Sequence, residues 1–416
     1  MTARRAAAVA LAGFLVLTLS GCPVDGAELP RPSATAEPRP DLPTDATTDL
    51  PAYGGPPAGA LPSAGPLTRV RATVDLTAAT PGRFARLVSA VATPDGGAYA
   101  LLTPSDREVD QSLAIVRADA IAGTVPLPRV EDVWGMHLLP DGSVAVAGRL
   151  GAEGYGVRVV DPSSGIVRST VVVPDGGGEA VGGSALLAGS TTLYLFVSLS
   201  DDESSRELLS AVDLASGQVT AQRDLADDVA AASHFPVARQ FAGLVARPGG
   251  GVRLVFDASP TAVAEERIPT LLTYDAGLAQ IGRPVRATDL AEGAETQSVA
   301  GGADGTAFLL VAVLEGSWIL GVPDGGGAGP LLAQLEDRIY GYSLVVEPAQ
   351  VWAVLPSASG ARALDLTTGE MRGPVAVGCE PRLDVRALYP APGGALMIGE
   401  CDTPREDTQL LWFLTP

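Results

Sequence analysis

The chain has 416 residues, 46% of them hydrophobic, and can therefore bury the core of one large domain or of two ordinary ones. Its 48 acidic residues outnumber 28 basic ones, all of them arginine, which gives a formal net charge of -20. Nucleic acids and anionic membrane surfaces attract basic side chains and repel carboxylates, so this balance argues against both as general partners. Three roles remain for the negative charge: binding a basic partner, binding a cation, or keeping the protein soluble.

The first residues have the three-part form of a bacterial export signal. Arg4 and Arg5 precede an apolar run over 6–19, which leads into the tetrapeptide LSGC at 19–22. That tetrapeptide resembles the bacterial lipobox, which implies removal of residues 1–21 and acylation of Cys22. An ordinary secretory signal and a membrane anchor are alternatives, although the run is shorter than the ~20 residues of a spanning helix. We therefore expect an exported protein, anchored by lipid to the cell membrane and facing its extracytoplasmic side.

Residues 22–66 form the next segment, which begins at the lipidated Cys22 and is rich in Pro, Ala and Thr. It holds few aromatic or branched apolar side chains, so burial cannot offset the entropy of ordering it. We expect a disordered tether that spans roughly 35–40 Å as a flexible coil. The folded domain is then expected at 67–416.

From Leu67 onward, short apolar runs are separated by Gly, Pro, Asp and Ser turns, without any long helical period, which predicts an all-β domain. One recurring hairpin reads apolar, Asp, three residues, Gly, apolar. Its Asp can bond its own backbone, and its Gly can take the positive φ of a tight turn. Copies of this first hairpin stand at Val116–Val125, Val159–Val167, Ala211–Val219 and Ala363–Met371.

A second hairpin, with a Pro-Asp-Gly turn, stands at Val91–Tyr99 and Leu138–Val146, with five looser copies farther along. Pairing the two hairpins gives four-stranded units. The turn aspartates at 119, 161, 213, 275, 324 and 365 are separated by 42, 52, 62, 49 and 41 residues. One propeller blade takes about 40–50 residues. The spacing therefore predicts a β-propeller.

The seventh unit ends after its third strand, and a missing fourth strand would leave a raw sheet edge. A segment at about 70–76 has no hairpin partner of its own and can supply that strand from the other end of the domain. We predict a seven-bladed propeller of four-stranded blades, the last one closed by the N-terminal strand. Six or eight blades are the alternative counts.

The hairpins at Ala211–Gly217 and Ala363–Gly369 resemble those of bacterial YVTN-type and quinoprotein-like repeat propellers, and the resemblance extends over the whole folded part. It implies the architecture but no particular function. Pyrroloquinoline-quinone enzymes of this kind carry a Trp four residues after the turn Gly. The corresponding positions here are Ser169, Ala221 and Gly373, so we expect no quinone and no other cofactor.

In a propeller, the turns between first and second strands and between third and fourth strands lie on one rim, here called the lower rim. The second-to-third loops and the connections between blades lie on the upper rim. The upper-rim segments of this sequence carry many carboxylates, namely Asp106, Glu108, Asp110, Glu131, Asp132, Asp201, Asp202, Glu203, Asp227, Asp228, Glu265, Glu266, Asp289, Glu292, Glu295, Glu336, Asp337, Asp402, Glu406 and Asp407. A surface of one sign concentrates cations and basic partners. The alternative is that exposed loops of an acidic protein are acidic anyway.

Aromatic and hydrogen-bonding side chains near the starts of the first strands are candidates for a ligand pocket at the mouth of the central channel. They are Trp134, Gln297, Ser298, Tyr340, Tyr342 and Arg386, together with His137, which falls on a first strand that lines the channel. The same side chains would serve equally well to plug the channel.

Catalytic signals are weak, because only His137 and His234 titrate near neutrality. Neither belongs to a recognised Ser/His/Asp or zinc spacing, and no Asp-x-Asp-x-Asp-Gly calcium loop is present. We assign no catalytic residue and expect no bound metal.

With Cys22 acylated, Cys379 and Cys401 remain, and disulfides persist in exported proteins. We expect a bridge between them, with two free thiols as the alternative. The whole sequence favours a monomeric binding or scaffolding module that meets an unknown protein or small molecule at its acidic upper face. The alternative is a propeller enzyme, of metal-assisted lyase or lactonase type, with its site at the channel mouth. Purely structural support within the envelope is a third possibility.

Overall fold

The computed structural model describes residues 66–79, 85–104, 110–173, 179–200, 205–232, 240–258, 267–286, 294–325, 331–336, 339, 344–347, 352–379, 382–402 and 407–416. The predicted export signal and almost all of the predicted tether lie outside these residues.

The described part of the chain is built from short strands. In chain order they are β1 (Arg69–Asp75), β2 (Ala85–Ala92), β3 (Ala98–Pro104), β4 (Gln111–Arg117), β5 (Ala120–Leu127), β6 (Glu131–Leu138), β7 (Val144–Arg149), β8 (Tyr155–Val160), β9 (Val167–Val173), β10 (Glu179–Leu186), β11 (Thr192–Ser200), β12 (Ser205–Asp213), β13 (Gln218–Asp224), β14 (Gln240–Ala246), β15 (Val252–Ala258), β16 (Ile268–Tyr274), β17 (Val285–Arg286), β18 (Glu295–Gly301), β19 (Ala307–Val313), β20 (Gly316–Val322), β21 (Leu331–Leu335), β22 (Val345–Val346), β23 (Trp352–Ser357), β24 (Gly360–Asp365), β25 (Met371–Ala376), β26 (Arg382–Ala391), β27 (Gly394–Asp402) and β28 (Asp407–Thr415).

The strands form seven antiparallel sheets of four strands each. Six sheets consist of four consecutive strands, from β2–β5 for blade 1 to β22–β25 for blade 6. The seventh has the order β1-β28-β27-β26. First strands of neighbouring blades contact one another, and β26 of blade 7 contacts β2 of blade 1, which closes the ring. The predicted all-β, seven-bladed propeller is confirmed.

Blade 7 is completed by β1, as the sequence predicts. β1 pairs with β28 from Arg69 opposite Thr415 to Asp75 opposite Leu410. Trp412 on β28 is fully buried within a cluster that also includes Leu67. The two ends of the domain are thus held in one sheet, and the third strand of blade 7 is not left as an edge.

Exposure changes radially through each blade. Strands in the middle, such as β15 and β19, are buried at every position. The outermost strands β9 and β13 instead alternate between more and less exposed positions. Most side chains of the first strand β6 are half-buried, because first strands pack on their own blade and face the central channel.

The lower rim is built from the repeated turns. In the turn after β8, Asp161 accepts hydrogen bonds from the Ser163 backbone N–H (2.9 Å) and hydroxyl (2.6 Å). Gly165 takes a φ of 72° there, which favours glycine. The turns at Asp213 and Asp365 repeat this arrangement, with Gly217 and Gly369 also at positive φ.

The copy at Val116–Val125 differs from the expected turn. Arg117 pairs directly with Ala120, so the turn consists of only Ala118 and Asp119, with Ala118 at a φ of 55°. Gly123 lies inside β5, opposite Ile115. The expected Asp-to-Gly turn is wrong here, because a two-residue hairpin closes the strands earlier.

Buried side chains join neighbouring blades near the upper rim. Each accepts a backbone N–H from the following blade: Gln111 from Val130 (2.8 Å), Asp257 from Thr296 (2.7 Å) and Gln409 from Leu87 (3.0 Å). At the lower rim, Arg247 of blade 4 pairs with Asp324 of blade 5 at 2.7 Å. Blade-to-blade spacing is therefore fixed by polar contacts at both ends as well as by the apolar core.

A short α-helix, α1 (Ala226–Ala232), lies in the connection between blades 3 and 4, and single 3-10 turns stand at Thr77–Ala79 and Gly151–Glu153. Asp224 accepts the N–H of the first residue of α1 at 3.1 Å, as N-terminal carboxylates commonly do. Within the described ranges, no helix has the length and apolar character needed to cross a bilayer.

Candidate functional site

Within the described strands, the first strands of five blades carry a β-bulge near their upper ends. The register with the second strand shifts between Leu87 and Ser89, Glu131 and Gly135, Phe241 and Gly243, Thr296 and Ser298, and Val385 and Ala387. A bulge leaves one or more residues unpaired and re-aims their side chains. Three of the predicted mouth residues, Trp134, Gln297 and Arg386, occupy the bulged segments.

Trp134 packs between blades 2 and 3. Its ring stacks on Tyr155 with centroids 5.2 Å apart, and it lies so close to Gly182 that a Cβ on that glycine would fall 2.5 Å from it. Trp134 also packs against the apolar cluster shared by the two blades. Its contacts favour a packing role, while its role in ligand binding stays a prediction.

Arg386 lies in a charged cluster in blade 7, near the upper end of the channel. Its Nη2 donates to Glu400 Oε2 at 2.9 Å and approaches Asp384 Oδ2 at 3.1 Å. Burial alone would raise the pKa of Glu400, but hydrogen bonds from Gln409 and Arg386 outweigh burial and hold that pKa below its usual value. Two carboxylates therefore share one guanidinium, and the cluster of Asp384, Arg386 and Glu400 carries a formal charge of -1.

His137 lies deeper in the channel, toward the lower end of β6. Its Nε2 is 2.8 Å from the hydroxyl of Ser184, on β10 of the next blade. Although the side chain is only half-buried, burial lowers the pKa of His137 to about 4. The imidazole is therefore neutral at pH 7, and one of its nitrogens is free to accept a proton.

Gln297 is half-buried on β18. Tyr340, Tyr342 and His234 lie outside the described residues. The structure thus places Trp134, His137, Gln297 and Arg386 on first strands around one channel. Direct contact joins two of them to partners that sequence reasoning missed, namely His137 to Ser184 and Arg386 to Asp384 and Glu400.

Cys379 and Cys401 form a disulfide, with Cα atoms 5.6 Å apart. Cys379 follows β25 of blade 6, and Cys401 belongs to β27 of blade 7. The bridge lies beside Glu400 and fastens the blade that contains both ends of the domain to its neighbour. The predicted pairing agrees with the structure.

Carboxylates occur on both rims among the described residues. On the lower rim, Asp141, Asp161 and Asp365 each accept hydrogen bonds within their own turns. On the upper rim, Asp110 and Asp132 are exposed. Many of the predicted upper-rim carboxylates, including Asp106, Glu108, Asp201, Asp202 and Glu203, lie outside the described residues. Across the part that is described, no three His, Cys, Asp or Glu side chains are grouped to hold a metal ion.

No protein-family model matches the sequence, and no curated protein matches it either. Solved structures do resemble the chain. An oligogalacturonate lyase in complex with manganese is 13% identical over 80% of this chain and 96% of the lyase, with a TM-score of 0.50. A puromycin hydrolase is 16% identical over 84% of this chain and 55% of the hydrolase, with a TM-score of 0.51.

The β-propeller domain of the Trilobed protease from Pyrococcus furiosus is 11% identical over 80% of this chain and 94% of that domain, with a TM-score of 0.52. That domain is described as having an open velcro topology, whereas β1 closes the last blade here. Identities this low show the β-propeller fold and nothing finer.

Proposed function

We propose that this chain is an exported, lipid-anchored propeller that acts as a binding module and presents its upper rim to a basic protein or a cationic small molecule. The sequence supports the location, through the export signal and Cys22. The geometry supports the direction of binding, because Asp161 and Asp365 on the lower rim are engaged in their own turns, whereas Asp384 lies in a strand beside the channel.

The observation that carries the proposal is the cluster of Asp384, Arg386 and Glu400. The side chains of Asp384 and Arg386 are 46% and 32% exposed, so solvent and ligands can reach them. Arg386 lies in a bulged segment of the first strand, next to the paired Asp384 and Glu400, so the charged cluster borders the channel. The excess carboxylate favours a positively charged ligand.

Anchoring is tested with the full-length chain and its Cys22→Ser variant. The wild type should take up labelled palmitate and sediment with membranes, whereas the variant should do neither. Equal sedimentation of both proteins would contradict lipid attachment at Cys22. An exported wild type that lacks palmitate would contradict it as well.

Binding at the upper rim is tested with two variants of equal charge change. Asp110→Asn with Asp384→Asn removes two upper-rim charges. Asp119→Asn with Glu370→Gln removes two exposed charges from lower-rim turns. Partners captured with the wild type from membranes of the producing cells should fall about fivefold with the upper-rim variant, since two rim charges contribute about 0.5 kcal/mol each.

The lower-rim variant should capture partners as the wild type does. Equal losses from both variants would indicate a general effect of net charge, and a loss confined to the lower-rim variant would reverse the assignment. Thermal unfolding of all three proteins shows whether each remains folded.

A further inference from the structure

We propose that Ser184 is a nucleophilic serine, that His137 is its general base, and that the pair cleaves small uncharged carboxylic esters inside the channel. This activity is separate from binding at the upper rim. Nucleophilic serines are recognised by a hydroxyl within hydrogen-bond reach of a base, on whatever fold they occur.

The first support is the contact itself. Ser184 Oγ and His137 Nε2 are 2.8 Å apart, although the residues are separated by 47 positions and belong to different blades. His137 pairs with Ala145 in blade 2, and Ser184 pairs with Leu195 in blade 3. Two rigid sheets therefore hold the hydroxyl and the imidazole in position.

The second support is the close packing around the pair. A Cβ on Gly135 would lie 2.3 Å from Ser184 Oγ and 3.0 Å from His137 Nε2. Only glycine at position 135 leaves room for the two polar groups to meet. Gly182 and Gly183 precede Ser184 and lie against the rings of Trp134 and Phe241. The groups packed beside the pair are thus apolar and uncharged, which favours an uncharged ester over a charged one.

The third support is the protonation state of the imidazole. Burial alone lowers the pKa of His137, with no charged neighbour contributing. The imidazole is therefore unprotonated at neutral pH, as proton acceptance requires, but its lowered pKa makes it a weaker base than a free imidazole. When Nε2 carries no proton, the Ser184 hydroxyl donates to it.

The reaction balances with ester and water alone. Ser184 Oγ attacks the ester carbonyl carbon while its proton passes to His137 Nε2. The carbon–oxygen bond to the alcohol then breaks, and the alcohol leaves with that proton. Water, deprotonated by the same imidazole, releases the carboxylic acid and restores the hydroxyl. The first strands pair on one side only within the described sheets, so alternate backbone N–H groups on their free edge can donate to the developing oxyanion.

The test uses the folded full-length protein and a fluorophosphonate probe, with adducts located by peptide mass spectrometry. The wild type should be labelled at Ser184 and should hydrolyse p-nitrophenyl acetate. Ser184→Ala should lose both properties. His137→Gln should lower the labelling rate at Ser184 by about 100-fold or more, the usual contribution of a general base.

The chain offers a matched control serine. Ser89 lies on the first strand of blade 1, and its hydroxyl is 3.3 Å from the hydroxyl of Tyr389 instead of an imidazole. Ser89→Ala should leave labelling and hydrolysis unchanged. An unlabelled Ser184 in folded wild-type protein would overturn the proposal, and so would undiminished labelling in His137→Gln.

Gly135→Ala supplies a second line of evidence, because this variant keeps both the Ser184 hydroxyl and the His137 imidazole. The added methyl must displace Ser184 Oγ, so labelling should fall to the level of His137→Gln. Labelling at the wild-type rate in folded Gly135→Ala protein would mean that the contact between Ser184 and His137 plays no part in the reaction, which also overturns the proposal. Should either variant fail to fold, labelling and hydrolysis by the wild type still decide between the two outcomes.

Discussion

The two rims of this propeller use the same residue type in different ways. Asp161 on the lower rim accepts hydrogen bonds from Ser163 and pairs with Arg168. Asp384 on the upper rim approaches Arg386 but leaves 46% of its side chain exposed. Asp161 shapes a turn, whereas Asp384 lies in a strand beside the channel; exposure alone does not separate the rims, since Asp141 on the lower rim is 59% exposed and Glu400 on the upper rim 15%. This difference in role indicates that the repeated turn residues determine the architecture of the propeller. A binding site is therefore expected in the less regular segments of the upper rim.

The largest effect should come from removing the upper-rim disulfide. Cys379→Ser with Cys401→Ser opens a loop of 22 residues, which should cost about 3 kcal/mol of unfolding free energy by the chain-entropy model. Urea unfolding of the oxidised wild type and the double variant measures this difference. The reduced wild type should match the variant, and an unchanged midpoint would show that the upper rim does not depend on the bridge.

The next effect concerns Asp257, which joins blades 4 and 5 through Thr296. Burial raises the pKa of Asp257 to about 6 despite hydrogen bonds from Thr296. This folded-state pKa exceeds the unfolded value near 4, so the protonated carboxyl stabilises the fold at low pH. That contribution is lost as pH rises through 6. We expect a loss of about 2–3 kcal/mol between pH 4 and 6 from this group.

Asp257→Asn should remove that part of the pH dependence, because the amide stays neutral and can still contact Thr296. Unfolding free energies of wild type and variant between pH 4 and 7.5 measure the difference. Parallel pH profiles would contradict the proposed titration of Asp257.

A smaller effect of opposite pH dependence is expected on the lower rim. Burial alone would raise the pKa of Asp161, but bonds from Ser163 and Arg168 outweigh it and lower that pKa to about 2. Its contribution is therefore present above pH 4 and is lost as pH falls through 2. After allowance for solvent screening, Asp161→Asn should cost about 1 kcal/mol at pH 7, measured by urea unfolding, and markedly less at pH 2, where about half of the carboxyl is protonated.

The upper-rim counterpart should show the smallest effect. Asp110 is exposed, so Asp110→Asn should change the unfolding free energy by less than about 0.5 kcal/mol at pH 7. The same urea titrations measure both variants. Equal destabilisation by Asp110→Asn and Asp161→Asn would remove the distinction between structural and exposed carboxylates.

Local chemistry made most of the fold predictable. The Asp and Gly of the turn after β8 dictate its geometry, and the unpaired segment at 70–76 had to cover the edge of β28. The early turn at Ala118 and Asp119 was missed, because the same residues fit two hairpin lengths.

The candidate site was predictable only in part. First-strand positions placed Trp134, Gln297 and Arg386 around the channel, since those strands surround the channel in any propeller, while their role in binding stays a prediction. The contact of His137 with Ser184 was not predictable, because it depends on how closely two blades approach at Gly135. The partners of Arg386 depend in the same way on the register of β26 with β27.

Two exposed apolar side chains, one on each rim, allow the most direct test of whether a partner binds at the upper rim. Leu314 in the upper-rim loop of blade 5 is 76% exposed, and Ile166 in the lower-rim turn of blade 2 is 64% exposed. Hydroxyl-radical labelling of both should be compared between the isolated protein and the lipid-anchored protein on its cells. Upper-rim binding predicts that labelling of Leu314 falls on the cells while labelling of Ile166 stays the same. Protection of Ile166 with Leu314 unchanged would contradict it.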